Sequence, residues 1–461
     1  MLSRSMFAVV AVLGATAVAW PPANPSLPMA DLGRMSEMSL LDIERENGCV
    51  DDGGGDGVLR VERAGTLAAP AGGAGAAADP AGAAWPPTWA STPMRGGDVP
   101  PARVVSDPYP ILHSVAVDTK NERVFVSDPN RHAIWSYDRR AASRATEAVR
   151  PLTGIRGPAT GMMFVAAVTV DPERQEVYSV DNDIGDRLMV FPYEATGNVR
   201  PKRVLQVPHQ AWGISISRER DELAVTVEGA REVVIYRREA KGNDPPVRVV
   251  RGPKTGLGDP HGVFLDGVNR ELVVANHGNQ GGRQPVPGDQ PRRRGGPLDA
   301  GRGTFTGGRF EEPSLTVYPA DARGDVAPLR RIQGKRTGLN WPMAIAVDRK
   351  NDEVAVANNG DGSIRVYRRT DTGDVAPVRT LKGPRTGIVG PMGVDIDAVN
   401  DELWVSNYGD HTALVFARTA AGDVAPKRIL RNAPAGSPTV GFGNPGAVAY
   451  DSKRDEILVP N

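Results

Sequence analysis

The chain has 461 residues, and its 55 basic side chains balance its 55 acidic ones, giving a formal net charge of zero at neutral pH. That balance argues against the basic surface a nucleic-acid-binding protein needs. Length alone suggests about three domains, but a repeat fuses most of the chain into one body, and the single cysteine, Cys49, has no internal partner for a disulfide.

Residues 1–19 carry a basic start (Arg4), an apolar stretch too short to span a bilayer, and a small-x-small ending, Ala17-Val-Ala19. This pattern predicts a secretory signal peptide and an exported protein, periplasmic or extracellular, with no transmembrane segment left after cleavage. Residues 20–96 are expected to be mostly disordered. Within them, 65–96 are rich in Ala, Gly and Pro and have too few large apolar side chains to offset the cost of ordering. The loop from Asp51 to Gly57 is acidic but lacks the spacing and terminal Glu of an EF-hand.

From 97 to 461 one unit recurs. Its clearest copy reads Ile345-Ala-Val-Asp348, Glu353-Val-Ala-Val-Ala-Asn358, Ser363-Ile-Arg-Val-Tyr367 and Gly373-Asp-Val-Ala-Pro377. The Asp closing the first segment returns at Asp118, Asp171, Asp266, Asp348, Asp397 and Asp451, with Ser217 in one copy. Spacings are about 50 residues, apart from about 80 between Asp266 and Asp348, as expected for four-stranded propeller blades. Alternation of apolar with small or polar residues predicts half-buried strands. The longer spacing marks an insertion at 278–313, rich in Gly, Pro and Arg (Arg283, Arg292, Arg293, Arg294, Arg302, Arg309), expected to be a solvated loop between the second and third strands of the fourth blade.

Six copies are complete, and two more strand patterns follow near the C-terminus. An open half-blade would leave an unpaired edge. Val58-Leu-Arg-Val-Glu62 matches the third-strand pattern, and Ala102-Arg-Val-Val105 after Gly97-Asp-Val matches the fourth. The expected architecture is therefore an all-β propeller of seven four-stranded blades, the last closed by N-terminal strands. The alternative is six blades with a loose C-terminal hairpin.

All six histidines map to the face formed by the four-to-one and two-to-three loops. His113 and His261 share one repeat position at the channel mouth, and His277 follows a second strand beside His261. Imidazole is the common acid/base and metal-binding side chain at neutral pH, so these three are the candidate catalytic or metal-binding residues. Around them runs a ring of second-strand ends, Asp128, Asp181, Asn276, Asn358, Asn407 and Asn461. Its oxygens could hold calcium and the imidazoles zinc. Turn capping explains such Asn and Asp residues as well. His132 and His411 are assigned to solvent.

Val115-Ala-Val-Asp118 with Arg123-Val-Phe-Val-Ser-Asp128 resembles the NHL repeat, and Glu353-Val-Ala-Val-Ala-Asn358 is similar to the YVTN repeats of bacterial surface propellers. Pro260-His261-Gly262 resembles a motif of the streptogramin lyases. The resemblance implies a propeller, and relatives include binding scaffolds, gluconolactonase-like metalloenzymes and lyases. Two readings follow. The first is an exported, non-catalytic monomer binding a protein, peptide or glycan through the His-bearing face. The second is a metal-dependent lactonase or lyase with a cation at the channel mouth.

Overall fold

The computed structural model describes residues 60–63, 103–106, 109–143, 146–182, 185–280, 309–437, 439, 449–451 and 456–458. Residues 1–19, where a signal peptide is expected, Cys49, the 65–96 segment, Asn461 and the interior of the insertion lie outside the described residues. The chain divides into two compact units, Gly53–Ala449 with Leu458–Asn461 and Met1–Asp52 with Tyr450–Ile457.

The first unit contains six four-stranded antiparallel blades in chain order. Blade 1 runs from Val115–Asp118 to Thr153–Ile155, blade 2 from Val165–Asp171 to Arg203–Gln206, and blade 3 from Ala211–Ser217 to Arg248–Arg251. Blade 4 runs from Pro260–Asp266 to Arg330–Gln333, blade 5 from Pro342–Asp348 to Arg379–Leu381, and blade 6 from Pro391–Asp397 to Arg428–Arg431. In blade 4 the base of the insertion is a short ladder, Asn279–Gln280 against Arg309–Phe310.

The expectation of seven blades is corrected to six. Blade 6 closes directly on blade 1: Ser406 Oγ donates to the His113 carbonyl at 2.7 Å, the Val117 amide donates to Asp395 at 2.7 Å, and the Ser143 amide donates to the Ile429 carbonyl at 2.8 Å. Six apolar cores occupy the six junctions, and the closing one joins Leu112, Val115 and Trp135 of blade 1 and its lead-in to Trp404, Val415 and Leu430 of blade 6. The strands expected to build a seventh blade form two separate sheets: Arg60–Arg63 pairs with Arg103–Ser106, and Ala449–Asp451 pairs with Glu456–Leu458.

Strand burial also differs from the half-buried expectation. Second strands such as Glu402–Asn407 are buried along their whole length. The period-two pattern sorts residues between the two neighbouring junctions. Leu403 and Val405 enter the core shared with blade 5, whereas Trp404 enters the core shared with blade 1.

The repeat-wide polar residues have structural tasks. Asp118, Asp171, Asp266, Asp348 and Asp397 each accept backbone N–H groups two and three residues on, closing the hairpin opposite the histidine face. In Gly-Asp-Val-Ala-Pro the Gly bridges to the fourth strand of the preceding blade, as Gly373 does to Ile332. The Asp caps a turn there: Asp325, Asp374 and Asp423 accept from Lys254, Arg336 and Arg385 amides, each at 2.7 Å. This motif is the link between blades at the outer rim.

Candidate functional site at the channel mouth

Five residues before each hairpin Asp (Ser217 in blade 3) stands His113, Ala166, Trp212, His261, Met343 or Met392. In blades 2 to 6 the ladder slips here. In blade 4, Pro260 pairs with Asn276 and the next pair is Val263 with Val274, so His261 and Gly262 form the bulge. A bulge re-aims its side chain out of the sheet plane. The next position is small in every blade: Ser114, Ala167, Gly213, Gly262, Ala344 and Gly393. A Cβ on Gly262 would lie 2.9 Å from the Ala344 backbone, and one on Gly393 2.9 Å from the Val115 amide. Close approach of neighbouring inner strands is thus a packing reason for the glycine of Pro260-His261-Gly262.

The bulges and adjoining loops bring rings together. His113 lies 6.0 Å from Tyr408, 6.1 Å from Phe164 and 5.3 Å from Trp212, between centroids. Blades 1 and 3 are not neighbours, so the last contact places both rings at the axis. The series continues from Trp212 to His261 at 4.6 Å, to His277 at 4.7 Å, and to Trp341 at 4.9 Å. All six blades contribute. The fold thus brings His113, His261 and His277 to the same mouth.

The other histidines are not part of this group. His132 and His209 are exposed. His411, expected in solvent, is buried, with Nδ1 2.8 Å from the Pro110 carbonyl at the closure of blade 6 on blade 1. Its left-handed backbone (φ 57°) turns the chain between strands two and three, where the closing segment covers it.

The second-strand ends brace the loop that leads into their own blade. Asn276 accepts the Gly258 amide at 3.0 Å and donates to Thr316 at 2.9 Å. Asn358 accepts the Asn340 amide and donates to the Gly338 carbonyl, and Asn407 does the same with Val389 and Gly387. Both ends of these amides are thus engaged by the protein. Asp128 accepts from the Trp135 indole and the Arg131 amide, and burial raises its carboxyl pKa to about 6. Asp181 accepts the Met163 amide at 2.9 Å, leaves Oδ1 buried without a partner, and is pushed up to about 7 by burial.

Two residues that a search for histidines passes over complete the blade 4 side of the mouth. Asp259 lies 3.2 Å from His277 Nδ1 and 3.6 Å from His261 Nδ1, and Glu228 lies 3.2 Å from His261 Nε2. The repeat register contains the signal. Asp259 sits seven residues before the hairpin Asp, where blade 5 has Trp341, and Glu228 is the blade 3 equivalent of His277.

Burial holds the pKa of His113 and of His261 down to about 4, so both imidazoles are neutral at pH 7. His113 Nδ1 bonds the Ala166 carbonyl at 2.7 Å, and its Nε2 is buried without a protein partner. A pKa depressed on folding contributes stability that is present above the unfolded value of 6.5 and is lost as pH falls toward 4. Relative to a His113→Gln variant, the wild type should therefore lose about 2 kcal/mol of stability between pH 7.5 and 5. Denaturant unfolding of both proteins at the two pH values checks this, and a pH-independent difference would contradict it.

These features define a six-bladed β-propeller with an aromatic and imidazole mouth. No family model and no curated protein matches the sequence. Among solved structures, a chain in the crystal structure of the nidogen/laminin complex is similar at 12% identity, with a TM-score of 0.41, over 72% of this chain and 99% of that chain.

Proposed function

We propose that this protein is an exported, monomeric, non-catalytic propeller of the NHL/YVTN type that binds a protein or peptide segment at the channel mouth. The observation that carries this reading is the run of contacting rings supplied by all six blades, with Trp341 47% exposed at its end and Met163 and Val389 exposed nearby. Tyr, Trp and Met are the side chains that protein interfaces favour, because they bury a large area at low entropic cost.

Peptide and glycan arrays probed with the purified chain test this. Peptide ligands should lose about 30-fold or more in affinity for Trp212→Ala or Trp341→Ala, the effect of a binding hot spot. Val399→Ala, exposed beside a hairpin of the opposite face, should bind as wild type. Binding confined to glycans, or peptide binding indifferent to both tryptophans, would overturn the reading. The second reading, a metal-dependent lactonase or lyase, draws on the convergence of Asp259, His261 and His277 and would show as lactone or lyase turnover lost with His261→Ala.

A further inference from the structure

The three ring positions of the mouth take different residues in each blade. Seven residues before the hairpin residue, five before it and eleven after it, blade 3 has Gln210, Trp212 and Glu228, blade 5 has Trp341, Met343 and Asn359, and blade 6 has Gly390, Met392 and Tyr408. Blade 4 has Asp259, His261 and His277, and among the described residues these form the group whose donor atoms come within 4.8 Å of one another. His261 and His277 are buried, and the Asp259 side chain is 13% exposed.

The hydrogen bonding around His261 points the same way. Its Nδ1 faces the Asp259 carbonyl at 3.0 Å and the Asp259 carboxylate at 3.6 Å, while its Nε2 faces Glu228 at 3.2 Å. A neutral imidazole has a single N–H to donate. Oxygens on both sides therefore leave one lone pair opposed to oxygen, unless the ring takes a second proton or a cation sits between them. Separations near 3.2 Å are also the edge lengths of a coordination shell whose bonds are about 2.0–2.2 Å.

We propose that blade 4 binds one first-row divalent transition-metal ion, zinc by donor preference, through His261 Nδ1, His277 Nδ1 and one oxygen of Asp259. Glu228 then accepts the Nε2–H of His261 and fixes that ring, the usual carboxylate–histidine support of a metal ligand. Two imidazoles and one carboxylate select zinc-like ions over calcium, which takes six to eight oxygens. Three protein ligands leave a coordination position for water or for a donor atom of a bound partner. The site lies at the binding mouth, yet the proposal stands independently of which ligand that mouth takes.

The left-handed backbone of Asp259 (φ 53°) suits this placement. The same position is left-handed at Gln210 (φ 66°), Trp341 (φ 49°) and Gly390 (φ 59°). The conformation thus belongs to the blade, and blade 4 supplies a carboxylate on it. Asp259 is also pinned by the His277 amide, which donates to its carbonyl at 3.0 Å. The ligand-bearing loops are tied together before any ion arrives.

The test uses the full chain stripped with a chelator and titrated with zinc in competition with a chromophoric chelator. One equivalent should bind. His277→Ala and Asp259→Asn should each weaken binding by 100-fold or more, and Glu228→Gln by about 10–100-fold, as for other lost ligand supports. His132→Ala, at an exposed residue, should bind as wild type. Because His277→Ala could disturb packing against Trp341, X-ray absorption of the zinc-loaded wild type supplies a second readout and should show two imidazoles in the first shell. Absence of stoichiometric zinc, calcium bound in its place, affinity unchanged in Asp259→Asn, or an absorption spectrum without the two-imidazole signature would each overturn the proposal.

Discussion

Replacing Trp404 with alanine is expected to cost about 3–5 kcal/mol, the usual range for deleting a large buried aromatic side chain. Trp404 is fully buried, lies in the second strand of blade 6, and packs into the core that also holds Leu112, Val115, Val126 and Trp135. The Arg428 guanidinium covers its ring from 5.6 Å. The residue therefore sits at the point where the ring becomes a closed structure. Opening that junction would expose the inner faces of two blades. Denaturant unfolding at pH 7 measures the loss, with Val399→Ala as a comparison that should change stability by no more than about 0.5 kcal/mol, since that side chain is largely exposed. A loss below about 1 kcal/mol for Trp404→Ala would mean that blade 6 does not close on blade 1 through this core.

The blade architecture was legible because each copy repeats the same local requirements. The hairpin Asp, the Gly-Asp-Val link and the strand periods are written in sequence and recur at fixed intervals. The blade number was less accessible for a physical reason. A strand pattern shows that a segment suits a sheet, not which sheet it joins. The segments at 58–62 and 102–105 carried outer-strand patterns, but the strands found there, Arg60–Arg63 and Arg103–Ser106, pair with each other in a two-stranded sheet. What decides the count is the fit of Trp404 and Leu430 against Leu112 and Trp135, a long-range packing event that no local pattern announces. His411 illustrates the same point. Its turn position was readable, but its burial comes from chain about three hundred residues away, at Pro110.

The candidate site was legible in half. His113, His261 and His277 interrupt the repeat and were found by that interruption. Asp259 and Glu228 escaped because acidic residues are common in loops, so neither stands out until placed in the same register as the histidines. The hydrophobic part of the mouth was hidden differently. Phe164, Trp212, Trp341 and Tyr408 come from different blades and from three different repeat positions, and their meeting depends on the bulge and on the curvature of the ring. Trp212 stands at the repeat position that His113 and His261 hold in blades 1 and 4.

The second large effect is expected at Arg139, where charge does the closing. Its guanidinium lies 3.2 Å from Asp397 and 3.4 Å from Glu402, both buried in blade 6, and 2.6 Å from Glu122 in its own blade. Related latches hold other junctions: Arg238 reaches Asp171 at 2.7 Å, Arg369 reaches Glu271 at 2.7 Å, Arg418 reaches Glu353 at 3.0 Å, and the Tyr193 hydroxyl donates to Asp118 at 2.8 Å. Each comes from the residue just after a third strand and grips the preceding blade. Arg139→Ala should therefore cost about 3–5 kcal/mol, because it leaves buried carboxylates without their cation. The loss should fall toward the lower end, since Glu402 keeps Arg428 and Asp397 keeps its backbone donors. A double-mutant cycle separates the latch from simple loss of packing. Arg139→Met combined with Asp397→Asn should be less harmful than the sum of the two changes by about 1–3 kcal/mol, the range for residues in direct contact. Costs that add to within about 0.5 kcal/mol would show that this guanidinium does not hold the ring closed through Asp397.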